Sequence, residues 1–159
     1  MDGWYLSEPG AYTLQAVLAT DTGVVVSPHT PLRIAPSRTM DEEQVAPELF
    51  TTDVGRAFAF GTSHGPGRPT DTLLEVLERL PQRAVARHAA LALAEPWKEE
   101  RRVLNIDGKQ RGFNSIRANP EKARELLNRA LHDNPTDAER CFGPRRYAEL
   151  QRQYEAWTR

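Results

Sequence analysis

A chain of 159 residues, 39% hydrophobic and 27% charged, has the size of one domain or two small ones and can bury a modest core. No run reaches the roughly 18 apolar residues of a membrane helix. Met1-Asp2-Gly3-Trp4 lacks the basic and apolar segments of a secretory signal. Cys141 is the single cysteine, which rules out an internal disulfide and favours a reducing, cytoplasmic setting; an envelope or secreted location would follow if the chain were a fragment of a longer precursor. The net charge of −1 hides a gradient. Residues 1–40 hold two Lys/Arg against three Asp/Glu, residues 41–100 six against eleven, and residues 101–159 thirteen against eight. Such a layout can steer an acidic partner to the C-terminal third.

The first 36 residues have the alternation of strands. Trp4-Tyr5-Leu6 predicts a short strand before a Pro9-Gly10 turn. Ala11 to Leu18 alternates, with Tyr12, Leu14, Ala16 and Leu18 on one face. Asp21-Thr22-Gly23 supplies turn chemistry, Val24-Val25-Val26 resumes a β-branched run, and Leu32-Arg33-Ile34 alternates until Pro36.

From Thr39 onward the pattern is helical. Met40-Asp41-Glu42-Glu43 places acids at a helix start, where the dipole favours them, and that helix extends to Leu49 or Phe50 with Pro47 interrupting it. Asp53 to Phe60 fits a helix through Val54, Ala57 and Phe58, while Phe58 and Phe60 also fit a strand; helix is the expectation. Gly61 to Pro69 reads as a loop. Thr72 to Leu80 is amphipathic, with capping-box spacing between Thr72 and Glu75, although Thr70 or Asp71 serves equally as the cap. Ala84 to Ala94 is the strongest helix former of the chain. Asn119 and Pro120 open a further helix, Ala123, Leu127 and Ala130 share its face, and Asn134-Pro135 ends it. Pro144 to Trp157 places Tyr147, Leu150, Tyr154 and Trp157 on one stripe.

The fold class is therefore α+β: a short N-terminal antiparallel β-ribbon, then an irregular, mostly α-helical bundle. The expected division is a β-rich segment over 1–36 and a helical domain over 39–159, with an insertion loop at 96–118. Asp107-Gly108 within that insertion is a hairpin signal.

Two resemblances add to this. Pro9-Gly10-Ala11-Tyr12-Thr13-Leu14-Gln15-Ala16, a turn, and Leu32-Arg33-Ile34 resemble the last strands of an immunoglobulin-like or fibronectin-like sandwich over residues 3–36. That resemblance implies that Tyr12 is tied to the backbone at a corner. A sandwich needs about seven strands, and this stretch has room for three or four. Ala123, Leu127, Ala130 and Pro135 follow the alanine–apolar–alanine–proline spacing of the second helix of a tetratricopeptide repeat, with Ala84 to Ala94 as the first. The resemblance implies one helical hairpin spanning 84–135. No second copy occurs near a 34-residue spacing, and such arrays need about three repeats.

No motif points to catalysis. His29, His64, His88 and His132 show no i, i+4 pairing and none lies beside Cys141, so no metal or cofactor is expected. Cys141 beside Phe142 reads as a small buried hydrophobe. Gly61-x-x-x-Gly65-x-Gly67 lacks the Lys-Ser/Thr of a phosphate loop. Adjacent Ser63 and His64 do not make a nucleophile and its base. The expected function is a non-enzymatic protein–protein interaction or scaffolding module. Its binding residues are Trp97, Arg101, Arg102, Lys109, Arg111 and Phe113 in the insertion and Arg145 and Arg146 in the last helix. Binding of nucleic acid or another polyanion through the same basic groups and Arg152 is one alternative. An accessory domain of a larger enzyme or envelope protein is the other.

Overall fold

A computed structural model describes residues 8–62, 67–107 and 110–158 of the chain. The expected strand at Trp4-Tyr5-Leu6 lies outside them. The layout is α+β, with short antiparallel strands preceding seven helices among the described residues.

The N-terminal strands are β1 (Gly10–Leu14), β2 (Val17–Thr20), β3 (Gly23–Val26) and β4 (Thr30–Ile34). β1 pairs with β4, aligning Tyr12 with Leu32, and β2 pairs with β3, aligning Leu18 with Val25. The four strands form one long hairpin with a break in the middle. Two residues, Gln15 and Ala16, there face three, Ser27 to His29, so the ladder cannot continue unbroken. Ser27 repairs the gap. Its N–H donates to the Ala16 carbonyl at 2.9 Å, and its hydroxyl accepts the Ala16 N–H at 2.9 Å. The single strand expected over Ala11 to Leu18 is therefore two. The extra residue sits on the opposite limb, where alternation in the first limb cannot reveal it.

Seven helices follow: α1 (Met40–Leu49), α2 (Thr52–Phe60), α3 (Arg68–Arg79), α4 (Ala84–Ala94), α5 (Pro120–Leu131), α6 (Pro135–Phe142) and α7 (Pro144–Thr158). Between α4 and α5 lie a 3-10 turn at Glu95–Trp97 and a second ribbon, β5 (Arg101–Asp107) with β6 (Gln110–Ile116). The segment expected as an insertion loop is thus mostly a paired hairpin.

Local chemistry sets the helix ends. The Thr39 hydroxyl accepts the Glu42 N–H at 3.2 Å, and Thr51 does the same for Val54 at 3.5 Å. Pro47 sits inside α1 without breaking it. α3 begins at Arg68, four residues before the expected capping box. Thr72 instead lies inside the helix and donates its hydroxyl to the Arg68 carbonyl at 2.9 Å. α5 stops at Leu131, and Asn134-Pro135 opens α6 rather than closing α5. Asn134 accepts the Asp137 N–H at 3.1 Å and Pro135 takes the first turn.

The core gathers around α4. Ala86, Ala89, Ala90, Ala92, Leu93 and Ala94 are buried there, and α2, α3, α5 and α6 all pack on that helix. α5 contributes Ala123, Leu127, Ala130 and Leu131, all buried. Small side chains on both helices bring the backbones close enough for Arg87 of α4 to donate to the Ala130 carbonyl at 2.9 Å. Arg129 reaches the Leu77 carbonyl of α3 in the same way. On the surface, two guanidinium nitrogens of Arg68, Nε and Nη2, donate to the Glu48 carboxylate at 2.7 Å, tying α3 to α1. Glu42 accepts the Arg38 N–H at 2.6 Å and pairs with Arg83 at 2.8 Å, joining the segment after β4 to the α3–α4 junction.

Leu131→Ala should destabilise the protein by about 3 kcal/mol through lost burial and a residual cavity. Ala130→Leu should destabilise it by about 2 kcal/mol by overpacking the seam. Denaturant midpoints at constant m-value measure both.

Candidate functional site

The β5–β6 ribbon forms an arm whose strands pair along their length, and its root is clamped on the bundle. Pro96 is fully buried, and Trp97 is half-buried with the Lys122 ammonium 4.1 Å from its ring centroid. The Asn119 N–H donates to the Trp97 carbonyl at 3.0 Å, pinning the returning limb to the outgoing one. The Trp157 indole N–H donates to the Lys98 carbonyl at 3.3 Å, so α7 holds the same root. Lys98 pairs with Glu95 at 2.6 Å. Beyond Trp157 the aromatic contacts continue through Tyr154, 6.5 Å between centroids, to His132, 4.9 Å from Tyr154. The Tyr154 hydroxyl bonds Asn128 of α5 at 2.9 Å.

Trp97 is therefore an anchor of the arm. Arg101 and Arg102 are exposed at its base, and Arg101 donates to the Glu95 carbonyl at 3.4 Å. Register pairs position 111 with Ile106 and position 113 with Leu104. Strand alternation then puts positions 102, 111 and 113 on one face of the ribbon and position 101 on the other. Lys109 lies outside the described residues. Arg145 and Arg146 are exposed in the first turn of α7, at the end away from Trp157, so they form a cluster separate from the arm root. The rise of a helix puts Arg146 about 16 Å from Trp157 along the axis. Arg146 is paired with Glu149 at 2.8 Å, and this arginine holds the Glu149 carboxyl below its usual range. Arg152 donates to the Ala148 carbonyl at 3.3 Å. Sequence reasoning missed Lys122 and the clamping role of Trp157, whose spacing from the insertion carries no periodic signal.

Arg146 also borders a cleft of about 380 Å³ between α2, α4, α6 and α7, lined by Phe58, Phe60, His88, Cys141 and Phe142. The Cys141 thiol donates to the Ala84 carbonyl at 3.6 Å. Burial pushes its pKa up against the opposing pull of Arg87, so it stays a thiol at neutral pH. The His88 ring meets Phe142 edge-on at 4.8 Å, and although the residue stays exposed, partial desolvation beside that ring pushes its pKa down. Among the described residues no three His, Cys, Asp or Glu side chains are grouped to hold a metal ion. Among the same residues no helix is long and apolar enough to cross a membrane.

No family model matches the chain, and no curated protein or solved structure does either.

The lowered His88 pKa has a sign that can be measured. The unfolded chain binds this proton more readily, so stability should be full above about pH 6.5 and fall as the pH drops below it. Denaturant titrations at pH 7.5 and 5.5 should show a smaller acid loss in His88→Gln than in the parent. For the arm root, Trp97→Ala should lower stability by about 2 kcal/mol, since a half-buried indole with a cation partner is removed.

Proposed function

We propose that this protein is a non-enzymatic interaction module that presents the β5–β6 arm to an acidic surface of another protein. The observation that carries the reading is a paired β-ribbon whose root is fixed by Trp97, Lys122, Asn119 and Trp157. A binding element held this way loses little freedom on docking, because its base is ordered beforehand. The residues offered are basic. Arg101, Arg102, Lys109, Arg111 and Arg117 outnumber Asp107 along the ribbon and its return. Phe113 adds an aromatic position on the face that holds 102 and 111. Aromatic and arginine side chains are the groups that dominate protein interfaces. The charge gradient supports the same direction of approach, because the C-terminal third is the basic part of the chain.

A photo-cross-linking residue at position 102 would capture the partner in cells, and purified components would then give its affinity. Replacing residues 101–116 by a short Gly-Ser turn, with Trp97 and Lys98 kept, should weaken binding at least tenfold and move Tm by under about 3 °C. Unchanged affinity would contradict the reading. Capture of single-stranded nucleic acid instead, with affinity falling steeply as salt rises, would replace the protein partner by a polyanion.

A further inference from the structure

The cleft between α2, α4, α6 and α7 takes no part in the arm. Three of its features together specify a ligand: fixed walls, an aromatic lining and a one-sided charge. The end of α2 is locked onto α4. Pro96 lacks the N–H that would serve the Ala92 carbonyl one turn back, and Thr62 serves it instead, donating its N–H at 3.1 Å and its hydroxyl at 3.4 Å. Gly61 permits this approach. Its φ is +82°, and a Cβ there would stand 2.7 Å from the Glu95 Cβ. The Cys141 thiol ties α6 to the Ala84 carbonyl of α4. The Tyr147 hydroxyl ties α7 to the Leu131 carbonyl of α5 at 3.2 Å. Walls fixed in this way need little ordering when a ligand enters.

The lining and the volume set the size and character of that ligand. Phe58, Phe60 and Phe142 line the cleft, and Phe60 is 81% exposed. A phenyl ring left so open within a concave surface has most of its apolar area free for a second ring. The space is about 380 Å³, and a cavity of about 150 Å³ already holds benzene, so a ring with a short chain fits.

The charges select an anion. His88 and Cys141 are both neutral at pH 7. Glu95 also lines the cleft, but its carboxylate is engaged by Lys98 at 2.6 Å. Arg146 bonds Glu149 through Nη1, and among the described residues its Nε and Nη2 donate to no protein group. Arg145 and Arg152 also pull the Glu149 carboxyl down. Three guanidinium groups thus surround one carboxylate, and positive charge is in excess where Arg146 borders the cleft.

We infer that this cleft binds a small aromatic carboxylate, with the ring among Phe58, Phe60 and Phe142 and the carboxylate on Arg146. This goes beyond the arm reading and is independent of it.

The probe is hydrocinnamate, a phenyl ring on a short-chain acid, titrated into the 159-residue protein and followed by amide chemical shifts. Phenylpropanol and phenylpropylamine are its neutral and cationic controls. Hydrocinnamate should bind with a Kd of about 1 mM or tighter, and both controls about tenfold more weakly. The shifted amides should be those of residues 58–61, 88–92 and 141–146. Arg146→Gln should weaken hydrocinnamate about tenfold and leave phenylpropanol within about twofold. Phe60→Ser should weaken both. Saturating hydrocinnamate should slow alkylation of the Cys141 thiol by iodoacetamide, because the ligand covers that side chain. Equal affinity for the acid and the alcohol would overturn the inference. So would parental affinity in Arg146→Gln, unchanged alkylation at saturation, or shifts confined to residues outside the cleft. Absence of any shift at about 10 mM would overturn it as well. None of these results bears on binding by the β5–β6 arm.

Discussion

The close approach of α4 and α5 is the constraint on which the rest of the structure depends. Both helices turn alanine toward their seam, and Arg87 crosses it to the Ala130 carbonyl. A guanidinium from one helix can reach a main-chain oxygen of the next only when no large side chain stands between them. The same small residues leave room around α4 for α2, α3 and α6. Removing volume at the rim of this core leaves a void, and adding volume at the seam pushes helices apart, so the two kinds of substitution fail for opposite reasons.

The seam also explains how a long excursion between the two helices is tolerated. Loop-closure entropy grows slowly with length, so an inserted ribbon adds little to the cost of pairing α4 with α5. What it requires is a fixed point of departure and return. Trp97, packed under Lys122 and bonded through its carbonyl to Asn119, is that point. Asn119 has a second task, since its side chain accepts the Lys122 N–H at 3.0 Å and caps α5. The residue that ends the arm thus starts the helix forming one side of the seam.

Much of the architecture was legible because its signals are local. The alanine run set α4 from Ala84 to Ala94, and Asn119-Pro120 set the start of α5. The misreadings have local causes too. Asn134-Pro135 is both a stop and a start signal, and α6 went unrecognised because only the first meaning was used. Thr72 resembles a cap, yet its hydroxyl is satisfied one turn back inside α3. The proposed binding residues were chosen by type, and the sequence did not show where in the fold they sit. Arg145 and Arg146 join the insertion in charge but sit at the far end of α7. Lys122 and Trp157 gave no sign of clamping the arm, because such contacts depend on how distant helices pack. Tyr12 is the opposite case, a residue for which the sandwich resemblance implied a backbone tie that the structure contains.

Native-state hydrogen exchange followed residue by residue would test the central role of the α4–α5 seam. The account predicts that the slowest amides lie in Ala86–Leu93 and Leu126–Leu131. It also predicts that the two groups share one opening free energy, equal to that of global unfolding. Opening of α5 well before α4, or slowest exchange in α1 or α7, would contradict it.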